Sequence, residues 1–135
     1  MPNTNHIAKQ RVHDGPTRVL VVDDNEPSAL SLTWAMEMFG YEVRTCYDGK
    51  SAVQEAGRFD PDVVLLDLGM PIMGGLEACK CLRANPAHND TLVIAQTGWG
   101  DRAMCQKTLE YGFNHHLVKP IDINRLLELM PPARH

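Results

Sequence analysis

An adjacent pair of carboxylates, a further carboxylate, a hydroxyl and an ammonium stand at equivalent places along this chain. Asp23-Asp24 closes the run VLVVDD, Asp67 closes VVLLD, Thr97 closes LVIAQT, and Lys119-Pro120 closes HHLVKP. Each follows an apolar, β-branched run of the kind that forms a buried strand. If these runs are parallel strands of one sheet, the groups meet at one edge. Three clustered carboxylates repel, and at least one keeps its proton unless a cation intervenes. Oxygen ligands with open positions suit a hard divalent cation, Mg²⁺ or Mn²⁺, which keeps waters and accepts phosphate oxygens. Three carboxylates, the Lys119 ammonium and one divalent cation sum to zero charge. Such a site accepts a phosphoryl group, and a carboxylate in it can be the nucleophile, giving an aspartyl phosphate. A lone Asp after a strand is usually a helix cap; the coincidence of all these positions carries the reading.

The elements that must position these groups alternate in type. Thr17–Val22, Tyr41–Cys46, Asp62–Leu66, Thr91–Ala95 and His115–Val118 read as strands, the second polar enough for an edge and the third apolar throughout. Helices are expected from about Pro27 to Phe39, Asp48 to Ala56, Gly75 to Ala84, Asp101 to Tyr111, and from the cap Asp122 to Met130. Asn25 or Glu26 suits the start of the first helix, and Gly40 its end. The last helix carries Ile123, Leu126, Leu127 and Met130 on one stripe. Five βα units in about 115 residues fit an open, doubly wound α/β sheet better than a closed eight-stranded barrel. In open sheets of this kind ligands sit beyond the carboxyl ends of the strands, where all the groups fall. The third strand is central, so Asp67 is the candidate nucleophile and Asp23 and Asp24 the metal ligands. Thr97 can donate to a phosphoryl oxygen, and Lys119 can pair first with Asp67 and then with the phosphoryl group.

Composition bounds the reading. The chain has 135 residues, a net charge of −4, 44% hydrophobic and 22% charged residues. That is ordinary for one globular domain. Without a Lys/Arg run, nucleic acid is not an expected partner. No apolar run reaches the ~20 residues that span a bilayer, so no membrane partner is expected. Cys46, Cys79, Cys81 and Cys105 lack metal-ligand spacing, and Cys79 and Cys81 point to different sides of a helix; reduced thiols in a cytoplasmic protein are expected. Residues 1–16 read as a polar leader, 17–130 as the domain and 131–135 as a tail. Trp34 reads as core or interface, and Met70, Met73 and Met104 as packing residues.

Over about Thr17 to Met130 the chain resembles the receiver domain of two-component response regulators. VLVVDD, VVLLDLGMPIMGG, Thr97-Gly98 and Lys119-Pro120 carry the resemblance. It implies a flavodoxin-like fold with strand order 2-1-3-4-5. It implies that Asp67 takes a phosphoryl group from a histidine kinase or histidine phosphotransfer protein. It assigns Mg²⁺ to Asp23, Asp24, Asp67 and the backbone carbonyl of Gly69, and phosphoryl contacts to Thr97 and Lys119. The Lys119–Pro120 bond is expected to be cis. Phosphorylation draws Thr97 inward and reshapes the face made by the fourth helix, fifth strand and fifth helix, which a downstream protein reads. Such a module is no metabolic enzyme, and a monomer or weak dimer is expected.

Two positions depart from the family pattern. The switch position on the fifth strand, usually Tyr or Phe, is His116, a smaller polar ring that charges near neutral pH. Trp99 stands two residues past Thr97, where its ring could shield the phosphoryl group from water. Three other readings compete. A flavodoxin-like cofactor binder needs a phosphate loop where this chain has D-D-N-E-P. A hydrolase needs an acid/base two residues after Asp67, where this chain has Gly69. A binding-only scaffold has no use for the complete acidic, Thr and Lys set. The chain reads either as a stand-alone receiver or as the receiver of a hybrid histidine kinase, which GFNHHLVKPID resembles.

Overall fold

The structure, a computed structural model, describes residues 15–70, 73–98 and 102–134. The leader up to residue 14, Trp99 and the expected helix start at Asp101 lie outside the described residues. Among the described residues five strands alternate with five helices. They are β1 (Arg18–Val22), α1 (Glu26–Met38), β2 (Glu42–Cys46), α2 (Gly49–Phe59), β3 (Val63–Asp67), α3 (Gly75–Arg83), β4 (Leu92–Thr97), α4 (Arg102–Glu110), β5 (His115–Val118) and α5 (Ile123–Leu129). All neighbouring strands pair parallel, in the order β2-β1-β3-β4-β5. The fold class and strand order are therefore the expected ones, with polar β2 at an edge and apolar β3 in the centre.

Side-chain alternation divides the core into two layers. Val19, Val21, Val63, Leu65 and Ile94 face Ala29, Leu32 and Met36 of α1 and Leu126 of α5. Leu20, Val22, Val64, Leu66, Val93 and Ala95 face Ala52, Ala56 and Phe59 of α2 and Ala78, Cys79 and Leu82 of α3. A strand with apolar groups on both sides has to lie between two helical layers, which is why β1, β3 and β4 are central. Burying one such aliphatic side chain contributes about 1.5–3 kcal/mol.

Side chains and glycines fix the helix ends. Asn25 caps α1 through its Oδ1, which accepts from Ser28 N–H at 2.9 Å, and Gly40 turns the chain out with φ +96°. Asp48 accepts from Ser51 N–H at 2.7 Å and caps α2; Asp122 accepts from Asn124 N–H at 3.0 Å and caps α5. Some boundaries differ from the sequence expectation. β3 includes Asp67 and β4 runs on to Thr97, because their backbones pair with neighbouring strands that extend equally far. α2 continues to Phe59, whose ring is buried, and Asp60 then takes the left-handed conformation with φ +53°. A short 3₁₀ turn, Pro86–His88, follows α3 where only a loop was expected. After α5 the chain is tied down, with Pro131 O accepting from Tyr41 Oη at 2.6 Å and Pro132 O from Thr17 Oγ1 at 2.8 Å.

Trp34 is 61% exposed, so its core reading is corrected: it lies on the outer side of α1, while Leu32, Thr33 and Met36 take the inner side. Met70 is buried and Met73 packs against the core. All four cysteines are free, with Cys46 and Cys79 buried and Cys81 exposed. Burial pushes the Cys46 and Cys79 thiols up to about 11. Native protein treated with iodoacetamide at neutral pH is therefore expected to gain label at Cys81 and Cys105 only, and at all four cysteines once unfolded. Peptide mass mapping checks this; native labelling of Cys79 would contradict the buried placement.

Candidate functional site

Parallel register brings the chemistry-bearing residues to one edge. Val22 pairs with Leu66 and with Cys46, and Asp67 pairs with Gln96. The ladder continues past the strands: Asp23 N–H donates to Cys46 O at 3.1 Å, Leu68 N–H to Gln96 O at 2.9 Å, and Lys119 N–H to Thr97 O at 2.7 Å. These bonds hold the residues after each strand almost as rigidly as the strands themselves. Asp23, Asp24, Asp67, Thr97 and Lys119 are thus all placed where the sequence put them, at the carboxyl ends of β1, β3, β4 and β5.

Asp23, Asp67 and Thr97 are buried, and Asp24 is exposed. One carboxylate oxygen from each of Asp23, Asp24 and Asp67 lies within 4.8 Å of the others. Lys119 Nζ stands between two of them, 2.9 Å from Asp23 Oδ2 and 3.3 Å from Asp67 Oδ1. Asn25 N–H takes the other oxygen of Asp23 at 2.9 Å, and Gly69 N–H donates to Asp67 Oδ1 at 3.2 Å. The Lys119–Pro120 bond is cis.

Burial raises the Asp67 pKa; the Gly69 amide opposes this, the Asp23 charge adds to the rise, and Lys119 opposes it. Burial works against the Lys119 charge, but the hydrogen bond to Asp23 and the Asp67 charge outweigh it and raise its pKa. One ammonium thus faces three carboxylates and leaves an excess of negative charge at a partly open edge. Hard oxygen donors converging within this span fit a divalent cation such as Mg²⁺.

His116, at the switch position, is half-buried on β5, with its Nδ1 3.5 Å from Thr108 Oγ1 of α4. Thr108 Oγ1 donates its proton to Cys105 O at 2.8 Å. At 3.5 Å the Thr108–His116 contact is a long one that ties β5 to α4. Sequence reasoning missed Thr108 as the partner of His116. It also missed Gly75. Gly75 begins α3 so close to β3 that a Cβ would meet the Asp67 carbonyl and stand 2.8 Å from Leu68 Cα.

A five-stranded, doubly wound parallel sheet with an acidic, lysine-bridged pocket at its carboxyl edge defines a class of phosphate-handling α/β modules. Residues 19–130 match the response regulator receiver domain, and the chain belongs to that family, the receiver domains of two-component signalling systems. It is 33% identical over 111 residues to the response regulator ArlR of Staphylococcus saprophyticus, covering 82% of this chain and 49% of ArlR. It is 36% identical over 113 residues to the signal transduction histidine-protein kinase BarA of Escherichia coli, covering 83% of this chain and 12% of BarA. The chain thus spans half or less of these curated relatives. Among solved structures, the chemotaxis protein CheY4 of Vibrio cholerae superposes with a TM-score of 0.80 at 30% identity, over 84% of this chain and 94% of that one. A response regulator from Burkholderia pseudomallei, with a phosphorylated aspartic acid, a calcium ion and citrate, gives a TM-score of 0.78 at 26% identity, over 85% of this chain and 66% of that one. Among the described residues no helix is long and apolar enough to cross a membrane.

Proposed function

We propose that this receiver takes a phosphoryl group from a phosphohistidine onto Asp67. The observation that carries the reading is the single ammonium of Lys119 held between Asp23 Oδ2 and Asp67 Oδ1, with the Asp24 carboxylate beside them. Lys119 and Gly69 N–H both engage Asp67 Oδ1, so Oδ2 is the oxygen assigned to attack. A new O–P bond forms as the P–N bond of the phosphohistidine breaks, and the leaving imidazole nitrogen takes a proton from water. Asp23, Asp24, Asp67 and the Gly69 carbonyl would hold Mg²⁺, which supplies positive charge to the transferring phosphoryl oxygens. Lys119 then pairs with a phosphoryl oxygen and Thr97 donates its hydroxyl to another. The related structure with a phosphorylated aspartic acid and a calcium ion supports the same chemistry here.

The output is a change of surface. Thr97 ends β4 and leads directly into the segment before α4, so a phosphoryl group that draws Thr97 inward moves α4. Leu109 on α4 and Val118 on β5, 65% and 46% exposed, supply apolar contact area on the α4–β5–α5 face for a downstream protein. The donor is a histidine kinase or histidine phosphotransfer protein, and free thiols fit a cytoplasmic setting. His116 takes the switch role through Thr108. Thr108→Val is expected to lower stability by about 1 kcal/mol, the value of one neutral hydrogen bond, and to leave phosphoryl uptake within about twofold. Thermal melts and uptake rates check this; a large loss of uptake would show that Thr108 shapes the site itself.

Intact mass after incubation with Mg²⁺ and acetyl phosphate tests the main reading. Expected is the gain of one phosphoryl group that requires Mg²⁺ and is absent in Asp67→Asn. A folded protein that binds Mg²⁺ yet gains nothing, even from a phosphorylated histidine protein, would leave a binding-only scaffold. A gain that persists in Asp67→Asn would place the chemistry on another residue.

A further inference from the structure

Arg83, the last residue of α3, is half-buried, and its guanidinium donates to three neutral oxygens. Nε donates to Gly112 O at 2.9 Å, Nη1 to His88 O at 2.7 Å and Nη2 to Asn114 Oδ1 at 2.8 Å. These acceptors lie on two separate segments, the 3₁₀ turn before β4 and the turn between α4 and β5. Burial pushes the Arg83 pKa down, yet a guanidinium stays charged at any pH a protein meets. Charged donors make the stronger hydrogen bonds, and a rigid fork fixes its acceptors relative to one another.

The turn held by Arg83 is locked from other sides as well. Gly112 takes φ +102°, and a Cβ there would stand 2.7 Å from Arg83 Cγ. Phe113 is buried, and its N–H donates back to Thr108 O at 3.0 Å, which closes α4. Asn114 N–H donates to Val93 O and Asn114 Oδ1 accepts from Val93 N–H, both at 2.8 Å, so the turn is stitched to β4. The amino half of α4 is buried far less. Arg102, Ala103, Gln106 and Lys107 are exposed, Met104 and Cys105 half-buried, and among the described residues of α4 Thr108 alone is buried. A segment with few buried contacts moves at low cost.

We propose that Arg83 makes the carboxyl end of α4 a fixed pivot, about which the helix tilts when Asp67 is phosphorylated. Movement of this kind presupposes the phosphoryl transfer to Asp67 proposed above. Thr97 passes its displacement to the amino end of α4, which lies roughly 12 Å from Glu110 at about 1.5 Å per residue. With the far end pinned to α3 and β4, displacement grows toward Arg102 and vanishes toward Gly112. The output face is thereby divided. Leu109 lies beside the pivot, so its apolar surface is offered in both states. Arg102, Ala103 and Gln106 change position, and by them a partner tells the two states apart. Arg83 is a positioning residue, acting through α4 and never on the phosphoryl group.

Pulsed electron-resonance distances between spin labels test the lever in the full chain. Cys81→Ser and Cys105→Ser remove the accessible thiols. Labels then go on Gln54→Cys of α2, paired with either Ala103→Cys or Glu110→Cys, all exposed positions. Samples are frozen before and after incubation with Mg²⁺ and acetyl phosphate. The pair reaching Ala103 is expected to change by about 1–2 Å or more, the scale of helix shifts in switching proteins, while the pair reaching Glu110 stays put. Arg83→Met keeps an apolar stem and removes all three donors; in it the Glu110 pair should move as far as the Ala103 pair, with phosphoryl uptake unchanged. Arg83→Lys, which reaches one of the three oxygens, should fall between and carries the test if Arg83→Met does not fold. Equal movement of both pairs in the otherwise wild-type chain, or a still Glu110 pair in every folded Arg83 variant, would overturn the lever. Intact mass separates this from failure at Asp67. With no phosphoryl gain the Asp67 reading falls and the lever with it; a gain with equal movement of both pairs overturns the lever alone.

Discussion

Asp67→Asn is expected to abolish phosphoryl uptake and, in Mg²⁺-free buffer, to make the protein more stable than wild type. Asp67 is 6% exposed and shares one lysine with Asp23, so ionising both puts two like charges in a poorly solvated place. Asparagine keeps the shape and an acceptor for Gly69 N–H but removes one charge. A gain of about 1 kcal/mol is expected, which for a domain of this size raises the melting temperature by roughly 3–6 °C. Mg²⁺ should reverse the order. A cation bound only to the folded state adds about 2.7 kcal/mol at a hundredfold excess over its Kd. Wild type should gain most of that, and Asp67→Asn much less, having lost one of three carboxylates. Melting curves with and without Mg²⁺ check both halves. A variant less stable than wild type without metal would mean that the Lys119 bridge already compensates the buried charges.

Gly75→Ala is expected to have the largest structural effect of any single methyl group in the site. The added Cβ would stand against the Asp67 carbonyl and Leu68 Cα, both backbone atoms that cannot rotate away. Forcing a methyl into such a place costs about 1–3 kcal/mol and shifts backbone. The shift falls on the residues that aim Asp67 and Gly69, so uptake should drop at least tenfold while the fold persists. Gly57→Ala, whose Cβ meets nothing within 4 Å, serves as the control; inside α2 it should raise stability by about 0.5–1 kcal/mol and leave uptake unchanged. Circular dichroism melts and uptake rates for the two variants separate the effects. Equal behaviour of Gly75→Ala and Gly57→Ala would show that α3 can draw back from β3 at little cost.

Much of the molecule was readable from residue types and spacing. β-branched runs alternating with amphipathic stretches required a parallel sheet between helices. The run apolar on both faces named β3 as the central strand, and polar EVRTC named β2 as an edge. Once the strands are parallel, a carboxylate, hydroxyl or ammonium at the end of each run must share an edge with the rest. That is a consequence of topology, and it made Asp23, Asp24, Asp67, Thr97 and Lys119 legible as one group. Capping residues such as Asn25, Asp48 and Asp122 were legible because a helix start leaves amide donors that a nearby side chain satisfies locally.

What the sequence left open was decided by contacts between residues far apart in the chain. Lys119 bridges Asp23 and Asp67 because β1, β3 and β5 reach the same height, which is a matter of register. Trp34 lies outside and Met36 inside because the rotation of α1 on the sheet is set by its packing against β1 and β2, with Thr33 Oγ1 2.8 Å from Thr45 Oγ1 of β2. His116 finds its partner in Thr108, eight residues earlier, only because α4 folds back on β5. Local sequence specifies which groups exist and which face they share, since the periods of strand and helix are fixed by backbone geometry. Distances, burial and the unmatched charge at the edge arise from packing, which no local pattern encodes.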